Sequence, residues 1–379
     1  HDRRAEEDIR EAIPEQIQGH RVGLPQQPQA GSSSQRSSGL PPPYSLGALS
    51  YLTGAECCPG VVTRLKLVER VDLGEVAVQR RVDLFKVLSV YNFSFWFDGV
   101  AARVVLELDP PAVAVVSVRG EAALYAPEGS DPAELERRLA ALGLEEDISG
   151  FLQLASGDPL LGSFAREWSG WRVRSCSLWW ALVIAVCQQN ASFKQGWSML
   201  ARLVRGYGRR AELEGVGEVL LPPTYRDVLS NPSRLAASGL GYRARTVIGV
   251  AEALASGRIP PEEELARAET GEGESILRAV KGVGSYTARL ALALSLRRYE
   301  LPPIDRWVRA LASRAYGVKA GEVEAEWRRR WGRWGALAVL ALTVALDAAP
   351  LRKALERLEA GRLLPEPGEV GPAQLWRYY

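Results

Sequence analysis

The pattern of hydrophobic and polar positions predicts an antiparallel sheet in the first part of the chain. Between residues 61 and 125 the apolar residues fall into short stretches, and glycine and proline residues separate these stretches. Tyr91, Phe93, Phe95 and Phe97 alternate with other residues, which places the four rings on one face of a strand. Such stretches are typical of strands joined by tight turns.

Two further apolar stretches, 103–108 and 112–119, continue this sheet. Asp131 and Pro132 follow, and together they are typical of a helix start, because aspartate caps free backbone amides and proline fits the first turn. This helix is expected to end near Leu142. The first part of the chain is therefore predicted to be a sheet with a helix packed against it.

The remainder of the chain is mostly helical by the same criterion. Residues 178–187 are apolar on all sides, as in a buried helix. Further helical patterns span 193–207, 225–229, 242–255, 274–281, 286–296, 305–316 and 336–346. We therefore predict an α+β fold, with an N-terminal antiparallel β-rich domain at 46–150 and a mostly α-helical region at 151–379.

A flexible leader is predicted at 1–45, where proline, glutamine and serine leave little to bury. The length of 379 residues is typical of two or three domains. No apolar run reaches the roughly 18 residues that cross a bilayer, and no secretory signal is recognised, so a membrane protein is not expected. Cys57, Cys58, Cys176 and Cys187 lack the spacing of a metal site or a disulfide framework, so we expect reduced thiols, no metal site and an intracellular location.

The charge of the chain is unevenly distributed, although the net charge is only +2. The chain has 41 Arg and six Lys. Between residues 278 and 314, eight basic residues stand against two acidic ones. Arginine is the better planar partner for phosphate, so this excess favours an anion-binding segment. GC-rich coding, which also enriches arginine, is the alternative explanation.

A glycine-rich turn joins two short helical patterns within this segment. The turn at 281–285 has the sequence Lys-Gly-Val-Gly-Ser, and the predicted hairpin spans 274–297. Glycine permits the backbone geometry of a tight turn, and the first amides of the second helix have no helical partner. Amides 284–287 are thus a candidate anion site, while a plain turn between packed helices is the alternative.

Four segments resemble the helix-hairpin-helix–Gly/Pro–Asp superfamily of DNA base-excision glycosylases. The hairpin at 277–288 carries the glycine turn, and 301–308, Leu-Pro-Pro-Ile-Asp-Arg-Trp-Val, matches the family's Pro-then-Asp site. Residues 185–192 are similar to the segment that supplies a residue pushed into the duplex. Residues 238–245, Ser-Gly-Leu-Gly-Tyr-Arg-Ala-Arg, look like an element of 8-oxoguanine glycosylases. The resemblance covers about 155–350.

The resemblance implies that Asp305 is the catalytic residue. Breaking an N-glycosidic bond leaves positive charge on the sugar, which a fixed carboxylate stabilises better than water does. The alternative role of Asp305 is a helix N-cap. Trp307, two residues later, is a candidate wall of the pocket that receives the flipped base, and packing in the core is its alternative role.

Position 286 distinguishes two mechanisms within the family. Members that also cut the DNA strand carry a lysine nucleophile there, whereas this chain has Tyr286. The 3-methyladenine glycosylase II branch has an aromatic residue there, and a ring face attracts the cationic base that alkylation produces. The resemblance therefore implies a monofunctional enzyme for alkylated purines, although Tyr286 packed in the core is the alternative. Oxidised purines are the alternative substrate class. The segment 238–245 favours them, whereas Ala338 stands where the 8-oxoguanine branch has glutamine and counts against them.

The resemblance also implies a set of DNA contacts. Gln189 is the candidate wedge that fills the gap left by the extruded base, with Gln188 and Asn190 beside it, and a helix C-cap region is the alternative. The candidate phosphate-binding residues are Lys281, Gly282, Gly284, Ser285, Thr287, Arg289, Arg243 and Arg245. Simple solvation is the alternative for the last two arginines.

The partner implied by the resemblance is double-stranded DNA containing a damaged base, bound by a monomer in the cytoplasm or at the nucleoid. No organic cofactor is implied, while a monovalent cation on the carbonyls of the hairpin is allowed. Three functions remain open: a monofunctional glycosylase for alkylated purines, an oxidised-purine glycosylase with or without AP-lyase activity, and a non-catalytic DNA-binding protein.

Overall fold

The N-terminal alternation of apolar residues corresponds to strands of a seven-stranded sheet. This computed structural model describes residues 62–90 and 95–378. The strands are β1 (Val62–Asp72), β2 (Phe95–Phe97), β3 (Ala101–Leu108), β4 (Pro111–Ser117), β5 (Glu121–Ala126), β6 (Arg210–Leu213) and β7 (Gly217–Leu220). They lie in the order β2-β3-β4-β5-β1-β6-β7, and β1 and β6 are parallel while the other neighbours are antiparallel.

Helices make up most of the remaining described chain. The α-helices are α1 (Gly74–Gln79), α2 (Leu84–Ser89), α3 (Pro132–Arg138), α4 (Ser149–Ser156), α5 (Gly162–Glu167), α6 (Leu178–Gln188), α7 (Phe193–Tyr207), α8 (Tyr225–Ser230), α9 (Arg243–Ala255), α10 (Glu262–Arg267), α11 (Thr270–Arg278), α12 (Ser285–Leu296), α13 (Arg306–Tyr316), α14 (Val323–Trp331), α15 (Gly335–Ala345) and α16 (Leu351–Glu359). Short 3-10 helices span Leu139–Leu142, Pro232–Ser238, Gly332–Trp334 and Leu375–Tyr378. The predicted α+β class is confirmed.

Two local predictions differ from the structure. Helices α1 and α2 occupy part of the region predicted to be strands, and the hairpin of β6 and β7 occupies part of the region predicted to be helical. Each strand of that hairpin has four residues, which is too short for a period of two to stand out. The leader at 1–45, Cys57, Cys58 and residues 91–94 of the aromatic stretch lie outside the described residues.

The predicted boundary near residue 150 stays a prediction. The sheet itself contains residues from both sides of that position, because Val62 to Leu65 of β1 pair with Arg210 to Leu213 of β6. A separate N-terminal domain would therefore share its sheet with a hairpin from the later part of the chain.

Each face of the sheet has its own hydrophobic core. Val113 and Tyr125 contribute to the core that the C-terminal helices cover, while Ala114 and Leu124 contribute to the core under α2. This division follows from the alternation of side chains along a strand. Both faces of the sheet are therefore buried.

Helix α6 lies in the middle of the helical part. All of its residues from Leu178 to Cys187 are buried, as its unbroken apolar sequence predicts. It contacts α7, α9 and α12. Helix α6 ends at Gln188, and the side chain of the next residue, Gln189, donates to the carbonyl of Gly282. The loop after α6 therefore lies beside the glycine turn that precedes α12.

The described residues contain no helix that is both long and apolar enough to cross a membrane. Among them, Cys176 and Cys187 are free thiols, and burial raises the pKa of Cys187 to about 12. The same residues contain no group of three or more His, Cys, Asp or Glu side chains that could hold a metal ion.

Candidate active site

The glycine turn connects α11 to α12 in a geometry that needs glycine at one position. Gly282 has a φ of +92°, and a Cβ there would overlap the hydroxyl of Thr246 on α9. Gly284 is the N-cap of α12 with a φ of −93°, and the space around it is open. Gly284 and Lys281 are exposed and Ser285 is half-buried, so the N-terminal end of α12 faces solvent. Their phosphate-binding role stays a prediction.

Asp305 is the N-cap of α13, as its local sequence predicts. The backbone amide of Val308 donates to its Oδ1 at 2.8 Å. The residue is exposed at the surface, yet the protein packed around the carboxyl raises its pKa by desolvation. Hydrogen bonds from the amides of Val308 and Trp307 oppose this rise. The carboxyl is therefore reachable from solvent while its ionised form is disfavoured.

Tyr286 lies in the first turn of α12, near Asp305. The ring is half-buried, and burial raises the pKa of the phenol, to which the charge of Asp305 adds. Trp307, in the first turn of α13, is also half-buried, and its Nε1 donates to the carbonyl of Ala349 at 2.8 Å. Both rings pack against the core that the C-terminal helices cover. Each ring therefore has the core-packing role on its buried side.

The side chain of Gln189 has two partners within the protein, and its wedge role stays a prediction. Gln189 Nε2 donates to the carbonyl of Gly282 at 2.9 Å and to Thr287 Oγ1 at 2.6 Å. The amide therefore ties the loop after α6 to the glycine hairpin. The half-buried side chain of Gln188 packs against Gly196 of α7, and its place beside the wedge stays a prediction.

Thr287, another predicted DNA contact, also has a partner within the protein. Its side chain is buried and its hydroxyl accepts the hydrogen bond from Gln189, and its phosphate contact stays a prediction. The sequence did not indicate this, because the two residues are 98 positions apart.

Asn190 is an exposed residue of the loop between α6 and α7. Its φ is +46°, a left-handed conformation that asparagine tolerates better than most residues. The neighbouring Gln189 carbonyl accepts hydrogen bonds from Arg243, whose Nε lies at 3.2 Å. The loop is thus held on both sides while Asn190 extends into solvent, which makes Asn190 the better wedge candidate.

Arg243 and Arg245 differ in their surroundings. The guanidinium of Arg243 donates to the Gln189 carbonyl and lies 4.7 Å from the ring of Tyr242, and its phosphate contact stays a prediction. Arg245 is exposed, and its phosphate contact stays a prediction. Tyr242 is 61% exposed beside this loop and is a surface ring that the sequence did not single out as a base contact.

Arg289, another predicted phosphate contact, has its partners inside the protein, and the phosphate contact stays a prediction. Its side chain is 14% exposed and forms ion pairs with Glu274 and Glu324. Its donors are therefore used inside the protein. Neither acid is near Arg289 in sequence, so no local pattern indicated these pairs.

Carbonyls at the hairpin turn already accept hydrogen bonds, among them that of Gly284, which accepts the amide of Ala288 at 3.0 Å. Val280 accepts the amide of Val283 at 3.0 Å, and Gly282 accepts Gln189 Nε2. A carbonyl oxygen has a second lone pair, so these bonds leave room for a cation ligand. The monovalent cation stays a prediction.

Solved structures of DNA glycosylases have a fold similar to that of this chain. A 3-methyladenine DNA glycosylase from Archaeoglobus fulgidus is 22% identical with a TM-score of 0.56, and the match covers 73% of this chain and 97% of that one. An 8-oxoguanine glycosylase/lyase from Clostridium acetobutylicum, in complex with double-stranded DNA containing cytosine opposite 8-oxoguanine, is 16% identical with a TM-score of 0.57. That match covers 69% of this chain and 91% of the other. The chain therefore has the same fold as these two DNA glycosylases.

Sequence comparison gives a likeness of the same kind. The DNA-3-methyladenine glycosylase of Bacillus subtilis (strain 168) is 30% identical over 164 residues, which are 43% of this chain and 54% of that protein. The match thus spans about half the length of this relative. No family model matches the chain. The resemblance to DNA glycosylases that the motifs indicated is confirmed in both sequence and fold.

Proposed function

We propose that this protein is a DNA glycosylase that extrudes a damaged purine from the duplex and hydrolyses its N-glycosidic bond. The observation that carries the proposal is the carboxyl of Asp305. It lies near Tyr286 of the glycine hairpin, is reachable from solvent, and has a raised pKa. The likeness to the Bacillus subtilis enzyme supports the same activity.

The chemistry of Asp305 follows from its charge and position. When the bond between C1′ and the base nitrogen breaks, the electron pair leaves with the base and C1′ becomes positive. An ionised carboxylate fixed beside C1′ stabilises that charge. Water then adds its oxygen to C1′, and the carboxylate, whose pKa is raised by burial, accepts the proton.

Tyr286 favours a hydrolytic mechanism and a cationic base. A phenol cannot form a Schiff base with the sugar, and its raised pKa keeps it protonated. The ring face would instead attract the positive charge of an alkylated purine. We therefore propose alkylated purines as the substrates and a monofunctional mechanism.

The duplex would be bound by the hairpin and by the loop after α6. The free amides at the start of α12, together with Lys281, Gly282, Gly284 and Ser285, would contact the phosphates. Asn190 would fill the gap left by the flipped nucleotide, which offsets part of the cost of unstacking the base.

Oxidised purines are a second candidate substrate class. The segment 238–245 favours them, because its sequence resembles an element of 8-oxoguanine glycosylases and it places Tyr242 and Arg243 beside the loop of Asn190. This alternative keeps Asp305 in the same role.

A panel of duplexes, each with a single alkylated or oxidised purine, tests the proposal. We expect release of alkylated bases as the main activity and no covalent protein–DNA adduct after borohydride treatment. A trapped adduct would contradict the monofunctional mechanism. Tight binding without release of any base would support the non-catalytic alternative and contradict the proposed activity.

A further inference from the structure

The guanidinium of Arg289 connects three parts of the chain around the loop that precedes Asp305. Its Nε donates to Glu274 Oε1 on α11 at 3.0 Å, and its Nη1 donates to Glu324 Oε1 on α14 at 2.9 Å. The same Nη1 donates to the carbonyl of Pro302 at 3.3 Å. Because Pro302 lies three residues before Asp305, Arg289 reaches the loop that carries the proposed catalytic acid.

The environment of Arg289 is that of an internal connector. The side chain is 14% exposed, and the side chain of Glu274 is 10% exposed. The two glutamates offset the positive charge of Arg289, so it has little excess charge to offer a phosphate. A planar guanidinium with five donors can bind two carboxylates and a carbonyl at fixed angles, which a lysine ammonium cannot reproduce.

The carbonyl of Pro302 is a fixed point of this loop. It accepts the amide of Ile304 at 3.0 Å in addition to Arg289. On the other side, the start of α15 packs against the proline ring, since a Cβ at Gly335 would lie 3.3 Å from that ring. The loop is thus held between α15 and Arg289, and Asp305 follows directly from it.

Helix α12 carries both Arg289 and Tyr286, three residues apart. Residues at this spacing lie on neighbouring positions of one helix face. The contact from Arg289 to the Pro302 carbonyl therefore helps to fix the distance between α12 and the loop that precedes Asp305. The ring of Tyr286, which is proposed to meet the base, lies on the same helix.

We propose that Arg289 is a positioning residue for the excision reaction. Through the Pro302 carbonyl it sets the place of the Asp305 carboxyl relative to the flipped nucleotide, without contacting the substrate. This inference rests on the proposed glycosylase function. It predicts a loss in the rate of bond cleavage that is not accompanied by a loss of DNA binding.

The test measures single-turnover base release with Arg289→Lys and Arg289→Gln, using the preferred lesion duplex and excess enzyme. We expect the rate constant to fall about 10- to 100-fold at full amplitude, because small misplacements of reacting groups have effects of this size. Affinity for undamaged duplex and its salt dependence should not change, because no phosphate contact is lost. The lysine variant keeps a positive charge that can pair with Glu274 and Glu324. It therefore provides the measurement if the glutamine variant does not fold.

Arg328→Lys is the matched control. Arg328 binds the same acid, Glu324, at 2.8 Å, and lies on the same helix as that acid. This variant should keep the wild-type rate constant.

Three results would overturn the inference. These are a wild-type rate constant in both Arg289 variants, a reduced amplitude at an unchanged rate constant, and a weaker affinity with a smaller salt slope. The second would indicate a purely structural role and the third a phosphate contact. Failure of the proposed function is distinguishable, because the wild-type protein would then release no base from any duplex.

Discussion

The Asp305 carboxyl caps α13 through its bond from the Val308 amide, while the surrounding protein disfavours its charge. The folded protein therefore binds a proton at this carboxyl more readily than the unfolded chain does. Between the usual aspartate pKa of about 3.9 and the raised value, the contribution of Asp305 to stability decreases as the pH rises. The proposed reaction has the opposite dependence, because it needs the ionised form.

A pH series on the excision rate and on unfolding tests this relation. As the pH falls through the raised pKa of Asp305, the rate constant should fall, at a pH above the usual aspartate range. Over the same interval the free energy of unfolding of the wild type should rise as the pH falls, because Asp305 takes up a proton more readily in the folded protein. Asp305→Asn should lack this contribution. A rate constant that stays level down to the usual aspartate range would contradict the assignment.

Substitutions of Tyr286 separate its ring from its hydroxyl. Tyr286→Phe should stay close to the wild type, because the phenol is protonated and the ring face is kept. Tyr286→Ala should lower the release of an alkylated purine by about 2- to 30-fold, which corresponds to about 0.5–2 kcal/mol of cation–π attraction. Release of a neutral oxidised purine should fall less. Equal losses for both bases would count against the cation–π role.

Two local features that the sequence predicted are present in the structure, at Asp305 and at Gly282. Asp305 stands in a helix-start pattern, and Gly282 stands in a glycine turn, and the structure has both features. Gln189 and Arg289 have partners at least 13 positions away. Their side chains are turned inward by those partners, which a linear pattern does not contain.

At the scale of elements, the two glycines of the hairpin are expected to differ. Gly282→Ala should destabilise the fold by about 1–3 kcal/mol and weaken DNA binding, because φ is +92° and the Thr246 hydroxyl occupies the space for a Cβ. Gly284→Ala is the control for stability, since its φ is −93° and its surroundings are open. Denaturant unfolding of both variants checks this, and equal stability would show that the turn tolerates a side chain at 282.

Long elements with a clear period were predicted well. Helix α7 has the predicted bounds, because its apolar face is regular and Ser192 and Gln195 form a capping box at its start. The short strands β6 and β7 were missed. Strand β6 pairs with β1, more than 130 residues earlier in the chain, and β7 pairs only with β6 among the described strands, so their own sequence does not define their place in the sheet.

At the scale of the whole molecule, the basic segment 278–314 is less available to DNA than its sequence indicates. Arg289 and Arg297 are paired inside the protein, and Arg314 pairs with Glu359. Arg278, Lys281 and Arg306 are exposed in the same segment. A smaller set of residues is therefore expected to carry the phosphate contacts.

Lys281→Ala should weaken binding evenly across DNA sequences. The slope of log affinity against log salt should decrease in magnitude by about 0.9 for one lost phosphate contact. Lys66→Ala is a charge-matched control on β1, where Lys66 pairs with Glu128, and it should leave the slope unchanged. An unchanged slope in Lys281→Ala would mean that the hairpin does not face the DNA backbone.

The central claim is that the carboxylate at position 305 drives cleavage of the glycosidic bond. The most direct test compares base release by the wild type and by Asp305→Asn, whose side-chain oxygen can still cap α13. The rate constant should fall by about 100- to 1,000-fold while the damaged duplex stays bound and the melting temperature does not fall. Release at the wild-type rate by Asp305→Asn would contradict the catalytic role of the Asp305 carboxylate.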